Sequence, residues 1–118
     1  MNKALKQVCE NLDWTVREYE NDIELQKYSP AGEDFFFTVD KHNFLTEVIN
    51  YAEYFDADEH AEMWVENMHN VNGVPQSIRT LINDADDIKE MLLELAEKLS
   101  KGAEKYERIR RKRSVIRN

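Results

Sequence analysis

Glycine, proline and cysteine are scarce in this sequence, whose 118 residues include 3 Gly, 2 Pro and 1 Cys. The three glycines lie at positions 32, 73 and 102, much too far apart to form a dinucleotide-binding fingerprint or a Walker loop, which excludes the common nucleotide-binding motifs. The single cysteine, Cys9, excludes an internal disulfide. Its position beside Val8 on an apolar helical face is typical of a buried structural thiol.

Long apolar runs are also absent, since no stretch approaches the roughly 20 residues that cross a bilayer. The first 12 residues, MNKALKQVCENL, carry charges throughout and do not resemble a signal peptide. A composition of 42% hydrophobic and 34% charged residues is that of a globular chain. We therefore expect a cytoplasmic protein.

Charge is distributed unevenly along the chain, whose net charge is −8. Residues 1–104 contain 9 Lys and Arg against 23 Asp and Glu, a net charge of −14, whereas residues 105–118 contain 7 against 1, a net charge of +6. This contrast predicts a single acidic domain over residues 1–104 and a basic helical extension or tail over residues 105–118. An acidic body repels phosphate backbones and attracts basic surfaces, and the tail does the reverse.

Hydrophobic periodicity predicts an α+β fold, which starts with an amphipathic helix over residues 2–12. Period-two alternation then predicts three antiparallel strands in sequential order. Glu20, Asn21 and Asp22 suit the first turn, and the Ser29–Gly32 segment suits the second. One face of this sheet, which helices should cover, collects Trp14, Val16, Ile23, Leu25, Phe35, Phe37 and Val39.

Phe36 falls on the opposite face of the predicted sheet, with Tyr19, Tyr28 and Thr38. Two arrangements fit this pattern. A second layer of structure covers these side chains, or they form an exposed aromatic group that is available for binding.

Helical spacing from Asn43 onward predicts three to four helices, with Asn43 and Asp56 as N-caps and a loop over residues 69–77. The last helix is either continuous from Ser77 to Arg110 or broken near Asp84. Its apolar seam runs beyond the expected domain and predicts a possible homodimer: Leu81, Ala85, Ile88, Leu92, Leu95, Leu99, Gly102, Tyr106 and Ile109.

Neither a catalytic centre nor a metal site nor a cofactor is expected. His60 and His69 are nine residues apart, whereas metal-binding pairs on helices use steps of three or four. His42 is remote from both, and no serine lies in a Gly-x-Ser-x-Gly elbow. Asp56, Asp58, Glu59 and His60 lie close together in the sequence and could suit a hard divalent cation. Acidic residues in the first turn of a helix also stabilise its N-terminus, so capping explains the group without a bound cation.

Two surfaces are candidates for binding. The first is acidic, includes Phe36, and would bind a basic protein: Glu18, Glu20, Asp22, Glu24, Phe36, Asp56, Asp58, Glu62 and Glu66. The second is basic and would bind phosphates: Arg108, Arg110, Arg111, Lys112, Arg113 and Arg117. Solubility alone also explains an acidic surface, and the helix dipole alone also favours basic residues at a helix C-terminus.

The segments YSPAGEDFFFTV, YFDADEHAEMW and GVPQSIRTLINDADDIKEML, within about residues 12–99, resemble small uncharacterised proteins of Gram-positive bacteria and of their plasmids, prophages and conjugative elements. The predicted order of elements, with an acidic surface, is also similar in outline to some phage inhibitors of RNA-guided nucleases. These resemblances imply a bacterial, mobile-element protein without an established active site.

We therefore predict a non-enzymatic, acidic, inhibitor-type module that imitates nucleic-acid charge and binds a basic surface, such as that of a nucleic-acid-handling enzyme. The alternative is a nucleic-acid-binding accessory protein that acts through its basic tail. The two functions differ in the charge of the surface that makes the contact, which is negative in the first and positive in the second.

Overall fold

The computed structural model describes residues 1–67 and 78–116. The elements follow the predicted α+β order: α1 (Lys3–Asn11), β1 (Thr15–Glu18), β2 (Asp22–Tyr28), β3 (Asp34–Asp40), α2 (Phe44–Tyr54), α3 (Ala57–Asn67) and α4 (Ile78–Ile116). The predicted loop over 69–77, which contains His69, lies outside the described residues, and so does Met68 before it. No helix within the described ranges combines the length and the apolar character that crossing a membrane requires.

The three strands form an antiparallel sheet in the order β1-β2-β3. Leu25 pairs with Val16 on one side and with Phe37 on the other, so the predicted register is confirmed. Phe35 and Phe37 are buried, whereas Phe36 is 58% exposed, because successive side chains of a strand point to opposite faces.

One face of the sheet carries the core. Trp14, Ile23 and Leu25 from this face pack with Val48 of α2 and with the buried seam of α4. Over the described residues no second layer covers the opposite face, where Arg17, Phe36 and Thr38 are exposed. The aromatic side chain of Phe36 is therefore open to solvent, and the covered alternative is not realised in this part of the chain.

Helix α4 is continuous over 39 residues, about 58 Å at 1.5 Å per residue. The break near Asp84 that the sequence allowed does not occur. Asp84 lies within the helix and is 5% exposed, so it is a buried hydrogen-bonding residue and not a cap.

The predicted seam of α4 is used inside the domain. Leu92, Leu95 and Leu99 are fully buried in its core. At Gly102 the helix passes so close to α1 that an added Cβ would lie 3.2 Å from Cγ2 of Val8. Self-association through the seam therefore stays a prediction only for the part of α4 beyond Gly102. This self-association depends on Tyr106 and Ile109, whose side chains lie outside the described part of the structure.

Candidate functional site

The turn between β2 and β3 is fixed to α4 by a buried carboxylate. The Ser29 hydroxyl donates to Oδ2 of Asp84 (2.8 Å), and the backbone N–H of Ala31 donates to Oδ1 (3.1 Å). The same hydroxyl accepts from the N–H of Glu33 (2.9 Å). Gly32 adopts φ = 96°, a conformation that residues with a Cβ rarely adopt, which allows the chain to reverse here.

Glu33, at the end of this turn, binds α3 through His60. Both carboxylate oxygens lie 3.0 Å from Nε2 of His60, and Nε1 of Trp64 donates to the same nitrogen at 3.2 Å. A protonated Nε2 can donate to the carboxylate, whereas an unprotonated Nε2 can accept from the Trp64 N–H. The position of one proton therefore decides which neighbour His60 engages.

A cleft with a volume of about 450 Å³ opens between the edge strand β3 and helices α2 and α3. Its walls include Phe35, Phe36, Tyr51 and Trp64, and the pair formed by Glu33 and His60 also lines it. Tyr51 is held in place by stacking on Phe37, with ring centroids 4.3 Å apart. The cleft is therefore mainly aromatic.

Carboxylates border this cleft. Asp34 lines it at the start of β3, and Asp56 and Glu59 line a second depression of about 410 Å³ that shares Tyr51 and His60 with it. None of the described residues that line either depression is Lys or Arg. We refer to the two depressions together as the β3 cleft.

The predicted acidic residues form two groups and not one face. The first group, at the β1–β2 hairpin, is partly neutralised. Glu18 lies 2.9 Å from the Met1 ammonium, and Glu24 lies 2.9 Å from the Arg17 guanidinium. The hydrogen bond donated by that ammonium lowers the pKa of Glu18. Glu20 and Asp22 are exposed beside the turn.

The second acidic group lies on α3. Asp58, Glu62 and Glu66 are exposed at successive four-residue steps, so they share one side of the helix. Asp56 caps the helix, because its Oδ1 accepts from the N–H of Glu59 (3.1 Å), as predicted. His60 joins α3 to Glu33 at the β2–β3 turn, which is at the other end of β2 from the β1–β2 hairpin.

The predicted basic residues lie on or beyond the end of α4. Arg108 is exposed, and the backbone of residues 110–113 continues the same helix. The side chains of these four residues, and the whole of residue 117, lie outside the described part of the chain. The helix carries the basic segment away from the domain without a break.

Two residues of the types that serve as nucleophiles in other proteins, Cys9 and Ser29, have structural roles here. Cys9 is buried, and its burial raises the pKa of the thiol to about 12. Ser29 is buried between two hydrogen-bond partners, whereas His42 is exposed. Within residues 1–67 and 78–116, no three His, Cys, Asp or Glu side chains are grouped so as to hold a metal ion.

Two features of this surface were missed by the sequence analysis. Contacts of Glu33 with His60 and of Ser29 with Asp84 join distant segments, and no local spacing reveals them.

A third acidic row, consisting of Asp87, Glu90, Glu94 and Glu97, lines a groove beside Pro30. Its steps of three and four residues on a helix were the signal that could have revealed it.

Comparisons with protein-family models, with curated proteins and with solved structures each find no match. The interpretation of the β3 cleft therefore depends on its own geometry and chemistry.

Proposed function

We propose that this protein is a non-enzymatic, inhibitor-type interaction module that binds a basic surface of another protein. The observation that carries the proposal is the β3 cleft, whose aromatic wall is bordered by carboxylates and, among the residues that the structure describes, is lined by no Lys or Arg. Aromatic side chains supply the buried contact area of protein interfaces, and complementary charge supplies specificity and fast association.

The state of the candidate nucleophiles supports a role other than catalysis. A thiol with a pKa of about 12 has almost no thiolate at neutral pH, and the thiolate is the nucleophilic form. The Ser29 hydroxyl is buried and holds the β2–β3 turn. His60 likewise links α3 to that turn.

The acidic row on α3 suggests the class of partner. Asp58, Glu62 and Glu66 are about 6 Å apart along the helix axis, at 1.5 Å per residue. Regularly spaced negative charge of this kind imitates a nucleic-acid backbone, so a nucleic-acid-handling enzyme with a basic channel is the partner we propose. The resemblance to proteins of bacterial mobile elements is consistent with such an inhibitor.

A second candidate function is nucleic-acid binding through the basic end of α4. The observation that favours it is the unbroken helix up to Ile116, which presents Arg108 and the following basic residues as one extension. Arg and Lys that neutralise phosphates release counterions, which drives binding. The net charge of −14 on residues 1–104 opposes close docking to the same phosphates.

Two variants separate these functions. The isosteric triple variant Asp58→Asn, Glu62→Gln, Glu66→Gln removes charge from α3 and leaves the Asp56 cap intact, whereas deletion of residues 105–118 removes the basic segment. The probes are a lysine-rich peptide and a short duplex DNA, at an ionic strength of about 0.15 M. We expect peptide binding that the triple variant weakens and the deletion leaves intact.

The matched control for the triple variant is Asp87→Asn, Glu90→Gln, Glu94→Gln, which removes the same charge from α4. It should weaken peptide binding less than the α3 variant does. Duplex binding that is tight in the full chain and absent after the deletion would establish the second candidate function and overturn the first.

A further inference from the structure

The free edge of β3 borders the cleft, and its backbone orientation follows from the hydrogen bonds that flank the strand. The N–H of Lys41 donates to the carbonyl of Asn21, and the N–H of Ser29 donates to the carbonyl of Glu33. Residues 33 and 41 therefore point their backbone groups towards β2. Because these groups alternate in an antiparallel pair, Asp34, Phe36, Thr38 and Asp40 point theirs away from β2.

The outward groups at the two ends of β3 differ in their partners. At Asp40 the outward N–H donates to Oε1 of Glu47 (2.8 Å), which confirms the orientation and closes that end of the edge. Within the described residues, no hydrogen bond reaches the outward backbone groups of Asp34, Phe36 and Thr38, whose side chains are exposed. Three successive pairing positions beside the cleft therefore have no hydrogen-bond partner among the described residues.

We propose that the β3 edge and its cleft bind an extended basic segment of a partner protein, which adds to the sheet as a fourth strand. This inference rests on the proposed function and specifies how the partner is held. Backbone hydrogen bonds to the outward groups would supply affinity, and pockets for alternate side chains would supply specificity.

The surroundings of the edge determine the side chains that such a segment should carry. A strand added to β3 lies about 4.8 Å away and alternates its side chains between the two faces of the sheet. Side chains on the helix-covered face enter the cleft lined by Phe35, Tyr51 and Trp64, so they should be apolar. Lys or Arg elsewhere in the segment would meet Asp34, Asp56 and Glu59 at the border.

Charge also argues against a second copy of this chain as the occupant. The edge strand begins with Asp34 and ends with Asp40, and each copy has a net charge of −8. Like charges brought together across a pair of edge strands are destabilising, and natural edges use charge to prevent this kind of pairing. A basic segment from another protein would instead bring opposite charges together along this edge.

The test uses the full chain and two synthetic peptides of equal composition. In one peptide lysine and valine alternate, and in the other the lysines form one block and the valines a second block. Amide hydrogen exchange, followed residue by residue by NMR, should slow at Phe36 and Thr38 when the alternating peptide is added. At a peptide concentration of about ten times its Kd, the expected slowing is roughly tenfold.

A matched pair of variants isolates the backbone contact. Thr38→Pro removes an outward N–H at a position where an edge strand tolerates proline, and Thr38→Ala removes the same side chain but keeps the N–H. We expect the first to abolish the slowing and lower affinity at least about tenfold, and the second to change affinity less than about twofold. Protection of the Phe37 and Val39 amides, which face β2, reports that the variant sheet is intact.

Three results would overturn the inference. Peptide binding without slower exchange at Phe36 and Thr38 would refute strand addition and leave the proposed function standing. If neither peptide binds, both strand addition and the proposed function are refuted. Slower exchange that appears in the protein alone as its concentration rises would identify a second copy as the occupant. If Thr38→Pro does not fold, the exchange measurement on the unaltered chain still decides between these results.

Discussion

Nε2 of His60 lies 3.0 Å from both carboxylate oxygens of Glu33, a residue 27 positions earlier in the chain. Glu33 is only 7% exposed, so it loses most of its hydration on folding, and His60 is the side chain that replaces it. This contact holds the N-terminal half of α3 against the turn that leads into β3. It therefore sets the geometry of the β3 cleft.

Replacement of His60 by Ala should lower the free energy of unfolding by about 2 kcal/mol or more, because it leaves a buried carboxyl group without its partner. His60→Gln keeps a donor and should cost less. Urea denaturation at neutral pH measures both variants. His42→Ala, at an exposed histidine, is the control and should change stability by less than about 0.5 kcal/mol. Equal stability of the two Ala variants would show that the contact contributes nothing.

Asp84→Ala should lower the free energy of unfolding by roughly 2 kcal/mol, because the Ser29 hydroxyl and the Ala31 N–H lose their common acceptor. The exposed Asp87→Ala is the matched control on the same helix. The double variant Ser29→Ala, Asp84→Ala should cost less than the sum of the single variants, since both remove the same hydrogen bond. Additive losses would contradict a direct interaction between the two side chains.

Cys9 should react slowly with thiol reagents in the folded protein. Burial raises the pKa of the thiol from its ordinary value of 9.0 to about 12, which lowers the thiolate fraction at pH 8 by roughly a thousandfold. Alkylation by iodoacetamide, compared between folded and urea-unfolded protein, measures this difference. Similar rates in the two states would show that the thiol is accessible.

The raised pKa of Cys9 also makes the stability of the protein depend on pH in the alkaline range. The folded state keeps the thiol proton more tightly than the unfolded state does, so this contribution is complete below about pH 9 and is lost as pH rises towards 12. Cys9 should therefore lower the free energy of unfolding by at most about 1.4 kcal/mol per pH unit in that window. A Cys9→Ala variant, although less stable at neutral pH, should show a shallower alkaline decline.

Gly102→Ala tests the crossing of α1 and α4. Alanine favours a helix by about 1 kcal/mol over glycine, but here its Cβ would lie 3.2 Å from Cγ2 of Val8. We expect Gly102→Ala to stabilise the protein more in a Val8→Ala background than in the unaltered chain. A double-mutant cycle of urea denaturation measures this coupling, and equal effects in the two backgrounds would exclude close packing at the crossing.

The local pattern of the sequence was sufficient for the arrangement of the sheet. Alternation over YSPAGEDFFFTV assigns Phe35 and Phe37 to one face and Phe36 to the other, and the structure has this register. Because a shift of one residue would bury Phe36 and expose its two neighbours, the apolar pattern leaves only one register. Helical spacing likewise predicted the seam of α4, and every seam residue from Leu81 to Leu99 is buried.

Residues whose role depends on a distant partner were not predictable in this way. Asn83 and Asp84 suited a helix cap by type, yet Asp84 lies within a continuous helix. Its carboxylate accepts hydrogen bonds from residues 53 and 55 positions away. The sequence pattern places His60 in an acidic capping segment, whereas in the structure its ring contacts the carboxylate of Glu33. Long-range pairs leave no periodic signal, because each segment alone satisfies its own local pattern.

The sequence by itself determined the order of the elements, the buried face of each strand and the separation of negative from positive charge. These properties depend on side-chain polarity and spacing along the chain. The tertiary structure decided that the acidic residues form separate groups and that the edge of β3 stays open beside an aromatic cleft. It also decided that Asp84 and Glu33 are buried. Burial and accessibility depend on which segments meet in space, and only the packing of α2, α3 and α4 against the sheet specifies that.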